Sequence, residues 1–557
     1  MKKRLFAVMI GIAMIVSTLI GCGNNGGDAG GGQAAAETQE ADDTGAGDDD
    51  AAADVDDSDV VDADDTAGDD DTVEVADLGD VVVLDVFINF PWWPVDHFDG
   101  IIPEYITANT GVALNKMIAT DDTQLGVMIA AGDLPDLVFS DAEVNRLSHR
   151  NVSMSYTELM ENYGLELPDV RPVAVDIARG LSDDGDFYTI LSHFSTREEW
   201  ANLQMGAPGQ AATFFRKDLL DSIGIDGSEI DSVERFMEVL AIVRDELPDH
   251  VPFGLGGHHK FNGVENMVGL PLSRFNEATG EYFYIATAPR YREFLEVANR
   301  MYREGFVTVE AFANESEADS HQHAFNDGAV FYAWHLNYAN FARLQSETQN
   351  LHPHAEWSIL PPLGDGILNA GRGWAGLFVS RNVSDPYAAA RLLTFLHSTR
   401  GTRATMWGRE GIEYTVDEND VPTFTPEYIE ARSAGMIDEI YNTWIIFTTT
   451  GIQELYANVS GLDEERLAQI TAHGRNVVLL PEIGIAAPSS ASDEGIIRTR
   501  LDELRRVHEP KIIFTDTDEA FEAAYQEFME ALVASGVEEF NEYMTNAIRR
   551  VREDFGW

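Results

Sequence analysis

The chain has 557 residues, 44% hydrophobic and 10% aromatic, with 96 acidic side chains against 37 basic ones and a net charge of −59. At roughly 150 residues per domain there is room for three or four folded units with sizeable cores. So acidic a surface repels phosphate backbones and anionic headgroups and excludes nucleic acid as a partner, although a saline habitat accounts for acidity of this kind just as well. The single cysteine, Cys22, excludes an intrachain disulfide, a Cys-rich zinc site and a dithiol redox motif.

Lys2, Lys3 and Arg4 precede an apolar run from Leu5 to Ile20, shorter than the ~20 residues that span a bilayer. Leu19-Ile20-Gly21-Cys22 follows where a signal peptidase would cut, and it resembles the lipobox of bacterial lipoproteins, in which the Cys becomes the lipidated N-terminus. Residues 1–22 are therefore expected to be a lipoprotein signal peptide, with Cys22 anchoring the protein on the extracellular face of the cell membrane. Residues 23–80 are Gly, Ala, Asp, Thr and little else, and residues 28–80 hold 21 acids and no Lys or Arg. Such a segment buries too little apolar surface to offset its ordering entropy and is expected to be a disordered tether. Residues 81–557 still carry 75 acids against 34 bases.

Order is expected from the apolar run Val81–Ile88, which suits a buried strand, with turn residues Asn89–Pro94 behind it. A short helix, a strand near Val112–Met117, a helix around Thr123–Ala131 closed by Gly132, and a strand Asp136–Phe139 follow. Strands alternating with helices argue a parallel α/β sheet. Farther on, Asp231 is expected to cap a helix with Glu234 as capping-box partner, burying Val233, Phe236, Met237, Leu240 and Val243. Tyr291, Phe294, Leu295, Ala298, Met301 and Tyr302 make a second stripe ending at Gly305, and Phe521, Ala524, Tyr525, Phe528, Met529 and Leu532 a third ending at Gly536.

The order of several short motifs resembles family 1 extracellular solute-binding proteins. They are Gly132-Asp133-Leu134-Pro135-Asp136; Arg216-Lys217-Asp218-Leu219-Leu220 with Ile223-Gly224-Ile225; Asn299 to Phe306; Phe325 to Val330, without the family's Lys; Trp407 to Tyr414; and Lys511 to Phe514. The resemblance implies an α/β, two-lobe periplasmic-binding-protein-like fold (type II), each lobe a mixed, mainly parallel sheet flanked by helices. It implies a hinge crossed several times, with 81–192 and 329–382 in the first lobe and 193–328 and 383–557 in the second. It also implies a monomer that captures a carbohydrate, usually an oligosaccharide, and delivers it to the permease subunits of an ABC importer, without a cofactor or catalysis.

Sugars offer apolar C–H faces to aromatic rings and hydroxyls to carboxylates, amides and Arg. Loops with that pairing hold Trp92, Trp93 and Asp96; Ser140 and Asp141; Trp334, His335 and Asn337; Arg372 and Trp374; and Trp407 with Glu410. The first two groups follow the carboxyl ends of expected strands, where open α/β sheets bind ligands. For each Trp, packing in a core is the competing reading, and for Arg372 and Glu410 a structural ion pair. The histidine pairs His258-His259 and His321-x-His323 lack ligand-spaced partners, and Asp183–Asp186 and Asp417–Asp420 lack the Gly and terminal Glu at the positions an EF-hand requires, so no metal site is expected. A surface glycoside hydrolase and a sensory or adhesive lipoprotein remain alternatives to transport.

The leader generates one test. Cys22→Ser should release the protein from the membrane fraction or leave it unprocessed; lipid labelling of the variant at wild-type level refutes the anchor.

Overall fold

Leu84, Val86 and Ile88 bury one face of strand Val82–Ile88, and Phe87 buries the other at its carboxyl end, while Val83 and Asp85 stay exposed. In the computed structural model, described over residues 80–557 except 122, 204–211, 257–259, 314–327, 335–337, 362, 434–435, 447 and 490–491, this strand lies inside a five-stranded sheet. Cys22 and nearly all of the expected tether lie outside the described residues. The strand order is Val112–Ile118, Val82–Ile88, Leu137–Ser140, Gly376–Ser380, Ser153–Met154. The first three are parallel and Gly376–Ser380 runs antiparallel to its neighbours. Helices Ile101–Thr110 and Gln124–Ala131 end at Gly111 and Gly132, both left-handed, with the cap N–H groups returning to the last turn.

A second, four-stranded sheet has the order Trp357–Ile359, Ala212–Arg216, Phe331–Trp334, Phe253–Leu255. One face packs Phe214, Tyr332, Trp334 and Trp357 with Trp200, Phe341 and Ile470. The other joins a large core made with helices Val233–Glu246, Tyr291–Arg303, Asp493–Ile513, Asp518–Ala534 and Val537–Phe555. All three expected apolar stripes pack there. The cap of Val233–Glu246 is Ser232 rather than Asp231: Ser232 is the last extended residue, and its Oγ accepts the Arg235 N–H.

Sheet pairing corrects the expected exchange points. Phe331–Trp334 pairs with Ala212–Arg216 and Phe253–Leu255, and Trp357–Ile359 pairs with Ala212–Arg216, so both belong to the second sheet and not with 81–192. Conversely, helix Pro386–Leu396, expected in the second lobe, buries Ala388, Ala389, Leu392, Leu393 and Leu396 against the first sheet together with Ile445 and Ile446. The chain crosses between the sheets around 192–194, 372–375 and 448–451. These crossings are tied edge to edge: Ser192 N–H to Ala375 O at 3.0 Å, Trp374 N–H to Ser192 O at 2.8 Å, and His193 N–H to Thr449 O at 2.6 Å.

A buried charge cluster fixes the long helices to the second core. Arg505 bonds Glu265 and, at 2.7 Å, Glu509, which also accepts the Tyr291 hydroxyl at 3.0 Å. Burial raises the Glu265 carboxyl above its ordinary value while Arg505 pulls it down.

His397 and His473 are buried, and burial pushes both down to about 4. Neither ring nitrogen of His473 has a hydrogen-bond partner. Below pH 6.5 the unfolded chain takes up protons that the folded chain refuses, so stability falls as pH drops from 6.5 towards 4, by on the order of 3 kcal/mol per group at the lower limit. Melting temperatures measured from pH 7 to 4.5 should fall less steeply for a His397→Leu, His473→Leu double variant than for wild type; equal slopes refute the assignment.

Candidate ligand site

From Val82–Ile88 the chain moves to one side to form Val112–Ile118 and then returns to the other side to form Leu137–Ser140. The carboxyl ends of the first and third of these strands therefore flank a topological switch point, the usual ligand crevice of an open α/β sheet. The loop leaving Ile88 is held there by Asn89 N–H to Phe139 O and turned by Trp93 N–H to Phe90 O. This turn points one indole outward and the next inward: Trp92 is 57% exposed and Trp93 only 5%.

Around them the fold gathers aromatic rings from distant segments. Trp92 stacks on Trp374 with centroids 6.0 Å apart and planes at 24°. Trp444 stands edge-on to Trp92 at 6.2 Å and to Trp93 at 5.2 Å. Phe90 lies 4.8 Å from Trp374, and Phe139 supports both Trp93 and Trp374 at 5.8 Å. Trp374 also meets His193, whose Nδ1 is 3.0 Å from Glu454 Oε2 beside the crossings. The result is a surface with an exposed indole face on a buried aromatic base.

The other expected residues have varied placements. Ser140 is fully buried: its Oγ accepts from Asn89 Nδ2 at 3.1 Å and donates to Ala142 O at 3.0 Å, so it holds the turn and presents nothing outward. Asn89 Oδ1 is buried there without a hydrogen-bond partner. Asp96 and Asp141 are exposed on the loops that leave the sheet end. Arg372 is half-buried against Ala174, Ile177, Leu191 and Phe194, and burial, with Arg498 nearby, lowers its pKa. Trp334 is buried in the core of the second sheet. Trp407 is completely buried in a separate cluster with Tyr414, Phe424 and Tyr428, so for this Trp the competing core reading holds and its indole offers no face to a ligand. Glu410 is exposed beside that cluster and accepts from the Tyr414 hydroxyl at 3.4 Å. His335 and Asn337 lie outside the described residues.

Of the expected set, the structure unites Trp92, Trp93 and Trp374. Phe90, Asn89, His193 and Trp444 were missed. Phe90 and Asn89 adjoin the Trp pair in sequence; nothing local marks Trp444. Among the described residues no cluster of three potential metal ligands occurs. Asp183–Asp186 forms a turn in which Asp184 accepts the Tyr188 hydroxyl, and Asp417–Asp420 closes the hairpin Tyr414–Val416/Pro422–Phe424.

No family model matches the chain, and no curated protein does. Solved structures do. The alginate-binding protein AlgQ2, determined without calcium ion, is similar at a TM-score of 0.64 and 15% identity, covering 84% of this chain and 98% of its own. The S. pneumoniae ABC-transporter substrate-binding protein FusA, in complex with kestose, gives 0.62 and 13%, covering 85% and 100%. A solute-binding protein from Bifidobacterium longum infantis, described as HMO-binding and ABC-transporter-associated, gives 0.58 and 12%, covering 84% and 98%. With the two sheets and the three tied crossings, this likeness establishes that the chain has the α/β, two-lobe fold of ABC-transporter solute-binding proteins.

Proposed function

We propose that this protein captures an oligosaccharide on the Trp92–Trp374–Trp444 surface and delivers it to an ABC importer, tethered outside the membrane through Cys22. The observation that carries the reading is the exposed Trp92 indole, held nearly parallel to Trp374 at the switch point. A sugar ring stacks its C–H face on such an indole, while solvent-facing polar groups take its hydroxyls. The sugars named in the neighbouring structures support the same class of cargo. No bond is made or broken: the reading needs only binding, followed by closure of the lobes about the three crossings.

The buried Trp93, Phe90 and Phe139 make the surface rigid before the ligand arrives, so little ordering cost opposes binding. The test titrates kestose, maltotriose, cellotriose and a mannose-rich N-glycan into wild type, Trp92→Ala and Trp374→Ala, following intrinsic fluorescence. Removal of a central aromatic anchor should cost about 2–4 kcal/mol of affinity for whichever sugar binds, with the melting temperature of Trp92→Ala unchanged. Wild-type affinity in both variants refutes the site.

A further inference from the structure

We propose that Lys116 and Asn442 are positioning residues for this site: they pin segment 436–446 across the loop 89–100, so that Trp444 stands as a fixed wall beside Trp92 and Trp93. The inference rests on the proposed ligand surface being where ligand binds.

After the helical turn Ile437–Tyr441, Asn442 takes the left-handed conformation, φ 49° and ψ 69°, which asparagine tolerates better than most non-glycine residues. The surroundings are specific. Asn442 is fully buried, and its Nδ2 donates to His97 O at 3.1 Å and Asp99 O at 2.9 Å, stitching the segment to the far end of the loop that carries the Trp pair. Its Oδ1 faces Lys116 Nζ at 3.5 Å, and the same Nζ donates to the Trp444 carbonyl at 2.6 Å. Lys116 is buried on the outer strand of the first sheet, an uncommon place for lysine, and the ammonium supplies donors to two acceptors of the segment at once. Trp444 Nε1 donates to Asp438 at 2.7 Å, which sets the rotation of the indole. The two backbones are close enough that a Cβ on Gly100 would come within 2.9 Å of Ile440 O. Loop, edge strand and segment are thus one clamp, with Trp444 at its tip.

Burial pushes the Lys116 ammonium down to about 8, with Asp96 of the loop opposing the shift. Other titratable groups on these elements include His97 and Asp99, 4.0 Å apart, and Asp438, with Glu439 next to it in the segment. Raising pH through 8 removes the charge from the bond to the Trp444 carbonyl and loosens the clamp. The unfolded lysine keeps its proton to about 10.4, so between these values the folded state gains relative stability from this group. Global stability alone therefore does not report on the clamp, and the readout has to come from the indoles themselves.

The experiment uses the full chain with Lys116→Met and Asn442→Gly, the glycine keeping the left-handed backbone without strain. Both variants should melt cooperatively, lose the circular-dichroism signal of the coupled indoles, and bind the sugar of the panel that wild type prefers about tenfold or more weakly. Wild type should show a reversible indole transition with a midpoint near 8 that Lys116→Met lacks. Unchanged indole signals in both variants overturn the inference. So does wild-type sugar affinity in both when Trp92→Ala has lost it, whereas wild-type affinity in Trp92→Ala overturns the ligand surface itself. If either variant fails to fold, the wild-type titration decides, and the absence of a transition near that midpoint overturns the clamp.

Discussion

The antiparallel return of Gly376–Ser380 to the first sheet is the constraint on which the site depends. The other central strands end at the switch point, and this one begins there, because it pairs Gly376 opposite Ser140. The residues before it are consequently delivered to the ligand edge, and Trp374 arrives beside Trp92 without any loop long enough to wander. Two glycines make the approach possible. A Cβ on Gly376 would lie 2.1 Å from Thr189 Oγ1, and one on Gly373, at φ 109°, 2.7 Å from Leu191 Cβ. Both glycines thus let segment 373–376 close on segment 189–192, where Trp374 N–H and Ala375 O bond Ser192, so the arrangement that places Trp374 also ties the sheets together.

The aromatic surface follows from that placement in two layers. Phe90, Trp93 and Phe139 are dry and packed in stacked and edge contacts, which gives each ring a defined orientation. Trp92 and Trp374 rest on that base and are partly wet. A large apolar ring left in water at a sheet edge forgoes roughly 25 cal/mol for each Å² not buried. A ligand that covers the indole recovers this term without paying to organise the site, because the buried layer has already fixed it.

How much of this was legible depended on the range of the interactions. The strand Val82–Ile88 and the helix end at Gly132 follow from local periodicity and from the cost of left-handed backbone, and sequence reasoning finds them to within a residue or two. The sheet that Phe331–Trp334 joins does not follow from periodicity. A short apolar run reads the same in either sheet, and its partners lie about 75 to 120 residues upstream. The tryptophans divide on the same ground. Trp407 and Trp444 both sit in irregular segments near the ends of short helices, yet one fills a private core with Phe424 and Tyr428 while the other reaches the first sheet. Only the buried lysine and the left-handed asparagine distinguish the second, and those are consequences of the fold rather than signals ahead of it. The adjacent pair Trp92–Trp93 was the exception, since a turn between prolines leaves no way to bury both indoles well.

Charge bears on why the proposed site is built of rings. The folded part carries a large acidic excess, and much of its basic complement is spent locally: Arg505 on Glu265 and Glu509, Arg409 on Glu413, Arg381 on Glu158. At the ligand edge the exposed charges on the loops leaving the three parallel strands include Asp96, Asp121 and Asp141, while the nearby Lys116 is buried with its ammonium on a carbonyl. An anionic glycan meets this edge against the field; a neutral one meets it without a Coulomb cost, and physiological salt screens the field only beyond about 8 Å, farther than the contacts themselves. Stacking is the attraction that acidity of this degree leaves untouched, because it needs no charge on either side. A sequence free to accumulate carboxylates over its whole surface can therefore keep a working polyol site, provided its affinity resides in indoles and in the backbone that aims them.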